Sequence, residues 1–393
     1  MRKILIVMTA LIALGCAIAR TVGLNAPDLA VAKSLIAGID RHAFSDREDV
    51  GYGETQRASI EPACTPKTGG TGAFRVAHGH IIGPDGVPLI ARGVNLYDFQ
   101  MYEAANSLAH VFPGMNFIRI NIHSYDNPKS YQLFVERMTA KGIVVEFEDH
   151  PNAGGGQGTI YTGDQLAAET SWYASMAAAY KDNPHVWFGT FNEPPTTGGS
   201  LSQWQQMTYD AIRRAGNQNP ILLQVSGSRP KNLNAALDPP TYGNMTNVIW
   251  DVHIYGYQSD YSTDPITVEA NMDAMFAAAQ RIKSADGTMP VLVGEYGPST
   301  DGTIDDPNGT QVVAAVINGG RSNRFGSAAW AWNPGGKADH LLDSAGHPSF
   351  PFGQLVQSFI NDPASPIASC SPTRTLREEG DRDSPRVRPG RVE

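Results

Sequence analysis

Cysteine is scarce, with only Cys16, Cys64 and Cys370 in 393 residues. That is too few for a small disulfide-built scaffold, and none sits in the paired spacing of a metal knuckle. No Gly-rich phosphate fingerprint occurs: Gly154, Gly155, Gly156 and Gly158 lack the Lys-Ser/Thr that a phosphate loop requires and read as a plain loop. Basic residues are outnumbered, 30 Lys and Arg against 39 Asp and Glu, for a formal net charge of -9. This argues against nucleic acid or anionic lipid as a partner, since both are bound through clustered Lys and Arg. No apolar run reaches the roughly 20 residues of a membrane span, and no repeat of solenoid length is present. Apolar residues are not lacking: at 41% they supply a sizeable core and exclude a wholly disordered chain.

The ends differ from the middle. Arg2 and Lys3, the apolar run Ile4 to Ala13, and the small residues ending Ala17-Ile18-Ala19 read as an export signal over residues 1–19, so a secreted or periplasmic chain is expected. A rival reading takes Ala13-Leu14-Gly15-Cys16 as a lipoprotein box, with Cys16 acylated as a membrane anchor. Residues 20–72, with Pro62, Pro66 and the run Thr68-Gly69-Gly70-Thr71-Gly72, read as leader and linker. From Ser371 to Glu393 six Arg mix with five acids and almost no apolar residue, so residues 366–393 are expected to be a disordered tail. In an oxidising compartment Cys64 and Cys370 would either close a disulfide joining the two flanks or stay as two structural thiols.

Residues 73–365 alternate short β-branched runs with longer helical segments. The strand candidates are Pro88 to Asn95, Asn116 to His123, Gly142 to His150, Val186 to Asn192, Ile221 to Ser226, Val248 to Tyr255, Pro290 to Tyr296 and Ala328 to Asn333. Helices are expected over Gln165 to Tyr180, Ser202 to Ala215 and Val268 to Ser284. Eight such alternations in roughly 290 residues predict an α/β fold, a (β/α)8 TIM barrel, rather than a doubly wound sheet. A hairpin of Phe74-Arg75-Val76 and Ile81-Ile82, with a turn signal at Pro84-Asp85-Gly86, is expected to close its floor.

Active sites of such barrels lie at the C-terminal ends of the strands, and a period of two says which side chains share a face. Arg119, Asn121 and His123 fall together, as do Glu146, Glu148 and His150, then Asp251, His253 and Tyr255, then Trp330 and Trp332. The fourth strand ends in Asn192-Glu193-Pro194 and the seventh in Gly294-Glu295-Tyr296-Gly297. Two carboxylates on opposite sides of a barrel, beside Arg, His, Tyr and Trp, suit glycosidic cleavage, where one donates a proton to the leaving oxygen and the other attacks the anomeric carbon. Asn192 and Glu193 cannot both face inward in a regular strand, so the fourth strand must kink or end there.

From Leu89 to about Asn333 the chain resembles glycoside hydrolase family five. The motifs that carry the likeness are Arg92-Gly93-Val94-Asn95, Phe117-Ile118-Arg119, Phe191-Asn192-Glu193-Pro194, His253-Ile254-Tyr255, Gly294-Glu295-Tyr296-Gly297 and Trp330-Ala331-Trp332. Each is short, but their order and spacing together are specific. The resemblance implies a retaining enzyme with Glu193 as acid/base and Glu295 as nucleophile. It also implies that Asn192 binds the sugar 2-hydroxyl, that Arg119 and Tyr255 orient Glu295, and that His253 lies beside Glu193. Trp332 would be the platform under the sugar at the cleavage point, with Trp330 one layer deeper. No cofactor or metal is implied. Strand three departs from the family pattern, because Val145-Glu146-Phe147-Glu148-Asp149-His150 puts either His150, after a one-residue shift, or Glu148 where the family usually shows a His.

The expected activity is that of an exported, monomeric cellulase cutting a polysaccharide, β-1,4-glucan first and β-mannan second. A metal-dependent hydrolase built on His150, His253, Asp149 and Glu193 ranks lower, since no candidate strand carries the His-x-His pair common in barrel metal sites. A non-catalytic carbohydrate-binding barrel is the alternative of another class. Trp187, Trp204 and Trp250 read as packing residues, Glu146 as part of a polar layer inside the barrel, and His123 as a rim hydrogen-bonder.

Overall fold

The computed structural model describes residues 72–150, 159–196, 198–228, 233, 239–255, 265–279, 281–298, 307–323, 326–333 and 340–361. The expected export signal, the acylation expected in the rival reading at Cys16, the expected leader up to residue 71, the expected tail, and Cys64 and Cys370 lie outside these residues.

The β-branched runs form the eight strands of a barrel. These are β1 (Arg92–Tyr97), β2 (Phe117–Ile122), β3 (Val144–Asp149), β4 (Val186–Gly189), β5 (Ile221–Gln224), β6 (Val248–Tyr255), β7 (Val291–Gly297) and β8 (Gly326–Ala329). Neighbours pair in parallel in chain order, and β8 pairs β1 to close the ring. Helices cover the outside, among them Met101–Val111, Gly163–Tyr180, Gly198–Arg214 and Pro307–Asn323. Alternation then sorts each strand. On β2, Ile118, Ile120 and Ile122 face the helices and join the main apolar cluster, while Phe117 points into the barrel.

The interior is stacked in layers, as filled barrels are. The lowest is apolar: Phe117, Val144, Trp187, Leu222, Ile249 and Leu292, all fully buried, meet Phe74, Val76 and Ile81 of the preceding hairpin. Phe74 sets its ring edge-on to Trp187 with centroids 5.1 Å apart, so the hairpin plugs the floor. Its turn differs from the expected one. The strands Arg75–Ala77 and His80–Ile82 are joined at His78-Gly79, both at positive φ (53° and 74°), and Pro84-Asp85-Gly86 makes a second turn that returns the chain to β1.

The helix expected to reach Ser284 stops at Ala279, and Lys283–Ser284 instead pairs with Gly287–Thr288 as a small hairpin. Ala285-Asp286 forms the loop, and Gly287, the first residue of the return strand, takes a φ of 93° that other residues resist. Trp187, Trp204 and Trp250 are packing residues, each at most 5% exposed.

Candidate active site

Above the apolar floor the barrel turns polar. Arg119 on β2 is completely buried and meets acids from three other strands: Glu146 (4.0 Å) and Glu148 (3.5 Å) on β3, Asp251 (3.8 Å) on β6 and Glu295 (2.6 Å) on β7. Two glycines make room for these groups. A Cβ on Gly189 would collide with Glu146, and one on Gly294 with the Asp251 carboxylate, to which the Gly294 N–H donates at 2.9 Å.

Glu295 and Glu193 converge through two different local breaks in strand geometry. On β7 a bulge inserts Gly294, so that Val293 faces Val252 but Glu295 already faces His253 across the pair. The extra residue turns Glu295 inward where strict alternation would turn it out. Beyond the end of β4 the chain bends and Glu193 adopts a φ of 45°. Its backbone N–H is caught by Gln224 Oε1 of β5 at 2.8 Å. The expected end of the strand before Asn192-Glu193 is therefore present.

The two carboxylates face each other across His253. Its Nδ1 lies 3.1 Å from Glu193 Oε1 and 3.4 Å from Glu295 Oε2, and one oxygen of each glutamate falls within 4.8 Å of the other. Glu295 is held from two sides, with Arg119 Nη1 donating to Oε1 at 2.6 Å and the Tyr255 hydroxyl to Oε2 at 2.5 Å. Arg119 also donates to Asn95 (2.9 Å), Asn121 (3.0 Å) and Asn192 Oδ1 (2.9 Å), which leaves the Asn192 NH2 to donate elsewhere.

The charges follow from burial. Desolvation alone would depress the Arg119 guanidinium, but Glu148, Glu295, Asp251 and Glu146 outweigh it and hold the cation above its ordinary range. Burial lifts Glu148 to about 8 and Asp251 to about 7 against the pull of Arg119, and raises Glu146 well above the carboxylate range. Burial also pushes His253 down to about 3 and His150 to about 4, so both imidazoles are neutral. Neutral His253 has a single ring N–H, and its Nδ1 is the ring nitrogen that faces both glutamates.

Strand three resolves without a shift. Its pairing with β2 is unbroken from Phe117–Val144 to Ile122–Asp149, so Glu146, Glu148 and His150 face inward in successive layers. Glu148 occupies the interior beside Arg119 and His150 the mouth above it, joined by a 2.9 Å contact between His150 Nδ1 and Glu148 Oε1. His123 sits on the rim beside Asp98, which accepts its backbone N–H at 2.9 Å.

The tryptophans are a correction. Strand β8 ends at Ala329, and the alternation that was to carry Trp332 inward ends with it. Trp332 packs in the outer apolar cluster with Phe112 (centroids 6.2 Å, interplanar 70°). Trp330 takes the inner place, stacked on His150 (5.3 Å, 20°), edge-on to Tyr97 (5.4 Å) and clustered with Tyr255. Trp332 is not a platform under the cleavage point.

Asn95 and Gln224 were missed as site residues. Asn95 fixes Arg119 and bonds the Gly294 carbonyl at 2.8 Å, and Gln224 sets the Glu193 backbone. Both are polar residues at inward positions of barrel strands, a signal that strand alternation alone could have given. The metal set His150, His253, Asp149 and Glu193 does not assemble, because Asp149 faces outward and accepts the Tyr125 hydroxyl at 2.7 Å. Glu193, His253 and Glu295 do lie within ligand reach of one another, but Glu295 already holds Arg119 and Tyr255, and the adjacent guanidinium disfavours a second cation.

Substituting Gly294 by alanine should cost about 1–3 kcal/mol, the usual penalty of overpacking, and should displace Glu295 with it. A lower thermal midpoint together with a lower turnover is the expected result. An unchanged midpoint would mean that Asp251 yields freely.

Residues 86–336 match the family described as Cellulase (glycosyl hydrolase family 5). Endoglucanase EG-II of Hypocrea jecorina is 24% identical over 241 residues, covering 57% of this chain and 55% of that protein. Mannan endo-1,4-beta-mannosidase of Cellvibrio japonicus is 24% identical over 265 residues, covering 63% and 56%. The chain thus spans little more than half the length of the curated relatives it matches. Among solved structures, Cellulase Cel5C_n superposes with a TM-score of 0.58 at 15% identity, covering 75% of this chain and 93% of that one, a likeness of fold.

Proposed function

The chain belongs to glycosyl hydrolase family 5, and from that premise we propose that it is an exported hydrolase that cuts β-1,4-glucan by double displacement. One observation carries the reading: the Glu193 and Glu295 carboxylates approach within 4.8 Å, bridged by His253, and only Glu295 is clamped by Arg119 and Tyr255. Retaining glycosidases hold their two carboxyl groups about 5–5.5 Å apart, while inverting ones leave room for a water at roughly 6.5–9.5 Å.

In this reading the two donors keep Glu295 as a carboxylate aimed at the anomeric carbon. As the glycosidic C–O bond breaks, the Glu193 proton passes to the leaving oxygen and a bond forms from the anomeric carbon to Glu295. Glu193, now a carboxylate, then takes a proton from water, whose oxygen displaces Glu295. The Asn192 NH2 donates to the sugar 2-hydroxyl, and His150 and Trp330 wall the sugar at the cleavage point. Mannan is the second reading, supported by the equal identity to the mannosidase.

The test is to incubate the purified chain with soluble β-glucan, β-mannan and xylan, with and without chelator, and to follow the first-formed anomer by NMR. Chelator-resistant release of the β-anomer from glucan is expected. The α-anomer as first product would overturn the retaining mechanism. Binding without any product would favour a non-catalytic barrel.

A further inference from the structure

One guanidinium serves four buried acids. With Glu146, Glu148, Asp251 and Glu295 all ionised around Arg119, the interior would carry a net charge of about -3 with no solvent to screen it, which a folded protein avoids by neutralising groups. Geometry says which acid keeps its charge. Glu295 has the shortest contact with Arg119, 2.6 Å, and a second donor in Tyr255. Asp251 has the Gly294 N–H but stands 3.8 Å from the guanidinium, and Glu146 stands at 4.0 Å with both oxygens unpartnered. Glu148 is the intermediate case. Its Oε1 lies 3.5 Å from Arg119 Nη2 and 2.9 Å from His150 Nδ1, and its Oε2 has no partner.

We propose that Glu148 is a positioning residue of the cleavage centre, an uncharged carboxylic acid that leaves the charge of Arg119 to Glu295 and holds His150 against Trp330 at the barrel mouth. A carboxylic O–H on Oε1 can donate to His150 Nδ1, which places the ring proton on Nε2. The charged neighbours are divided. Glu146 on the same strand and Asp251 on β6 share its field, and Glu193 and Asp98 add negative charge from the rim, while Arg119 of β2 and His123 just beyond it act the other way. Burial holds Glu148 near 8 and His150 near 4, so the imidazole does not supply a compensating positive charge.

The kinetic test rests on the hydrolase reading, and a second measurement does not. E148A should lower kcat by more than about tenfold with little change in KM, since it removes the support of His150. E148Q, an uncharged isostere, should restore most of that loss and carry activity to higher pH than the wild type. Equal losses in E148A and E148Q, or coincident alkaline limbs for E148Q and wild type, would overturn the proposal. If the wild type hydrolyses none of the glycans, the functional reading has failed and thermal unfolding decides the role of Glu148. Its raised pKa makes its contribution complete below the ordinary carboxylate range and lost as pH rises through about 8. E148Q should therefore lose less stability than wild type between pH 6.5 and about 9, and parallel curves would refute an uncharged Glu148.

Discussion

Replacing Glu295 by alanine is expected to lower kcat by about 10⁴-fold or more, the scale on which losing a covalent nucleophile acts. No neighbour can take its place. Arg119 and Tyr255 both donate to it, His253 is neutral, and Glu193 is committed to the proton on the other face of the scissile bond. A small anion such as azide adds a second reading to the same variant. Entering the space left by the carboxylate, it should restore turnover and give the α-glycosyl product, because a single displacement inverts the anomeric centre. In Glu193→Ala the intermediate on Glu295 still forms from a substrate with a good leaving group, and azide then attacks from the opposite face to give the β product. Loss of acid/base assistance there should cost about 10²–10⁴-fold on an unactivated glycan. If Glu295→Ala retained more than a few per cent of turnover, or if both variants gave the same azide anomer, the assigned roles would fail.

The barrel was legible because its signal repeats. Seven of the eight strand candidates fell on observed strands and the eighth, Ala328 to Asn333, met β8 only at Ala328 and Ala329, while alternation placed Arg119, Glu146, Asp251, His253 and Tyr255 inward. What stayed hidden lies where alternation stops. Trp332 follows the last residue of β8 by three; its N–H still bonds the Asn95 carbonyl of β1 at 2.8 Å, but past the end of the regular strand a period of two no longer fixes which way a side chain points. The same limit applied to Glu193, but there two adjacent functional residues forced a break that could be read in advance. At Glu295 the strand continues, and the bulge at Gly294 was visible only as a glycine before an acid. The crowding of acids around Arg119 was half legible. The sequence displays Glu146, Glu148 and Asp251 on inward faces, but which of them share a cation depends on strand register, and register emerges from the closed ring.

Replacing Arg119 by methionine, of similar length and no charge, is expected to destabilise the fold by about 3–5 kcal/mol at neutral pH, the cost of breaking a buried ion pair and stranding its partners. The deficit should depend on pH in a direction set by those partners. Glu148, Asp251 and Glu146 are raised by burial and held back by Arg119. Without the cation they rise further, while their unfolded-state values stay the same. A carboxyl raised in the folded state stabilises fully below its unfolded value and loses that contribution as pH climbs through its folded value. Around pH 8 the variant should therefore lie well below the wild type. Below the unfolded values near 4 the acids are protonated in both states, and Arg119 has little left to neutralise. The histidines push the same way, because Arg119 helps depress His150 and His253, and removing it eases their protonation in acid. The gap in thermal midpoint between wild type and Arg119→Met should thus be wide at about pH 8 and narrow at about pH 4.5. A gap of equal size at both would mean that Arg119 stabilises by packing, and that the acids around it do not depend on its charge.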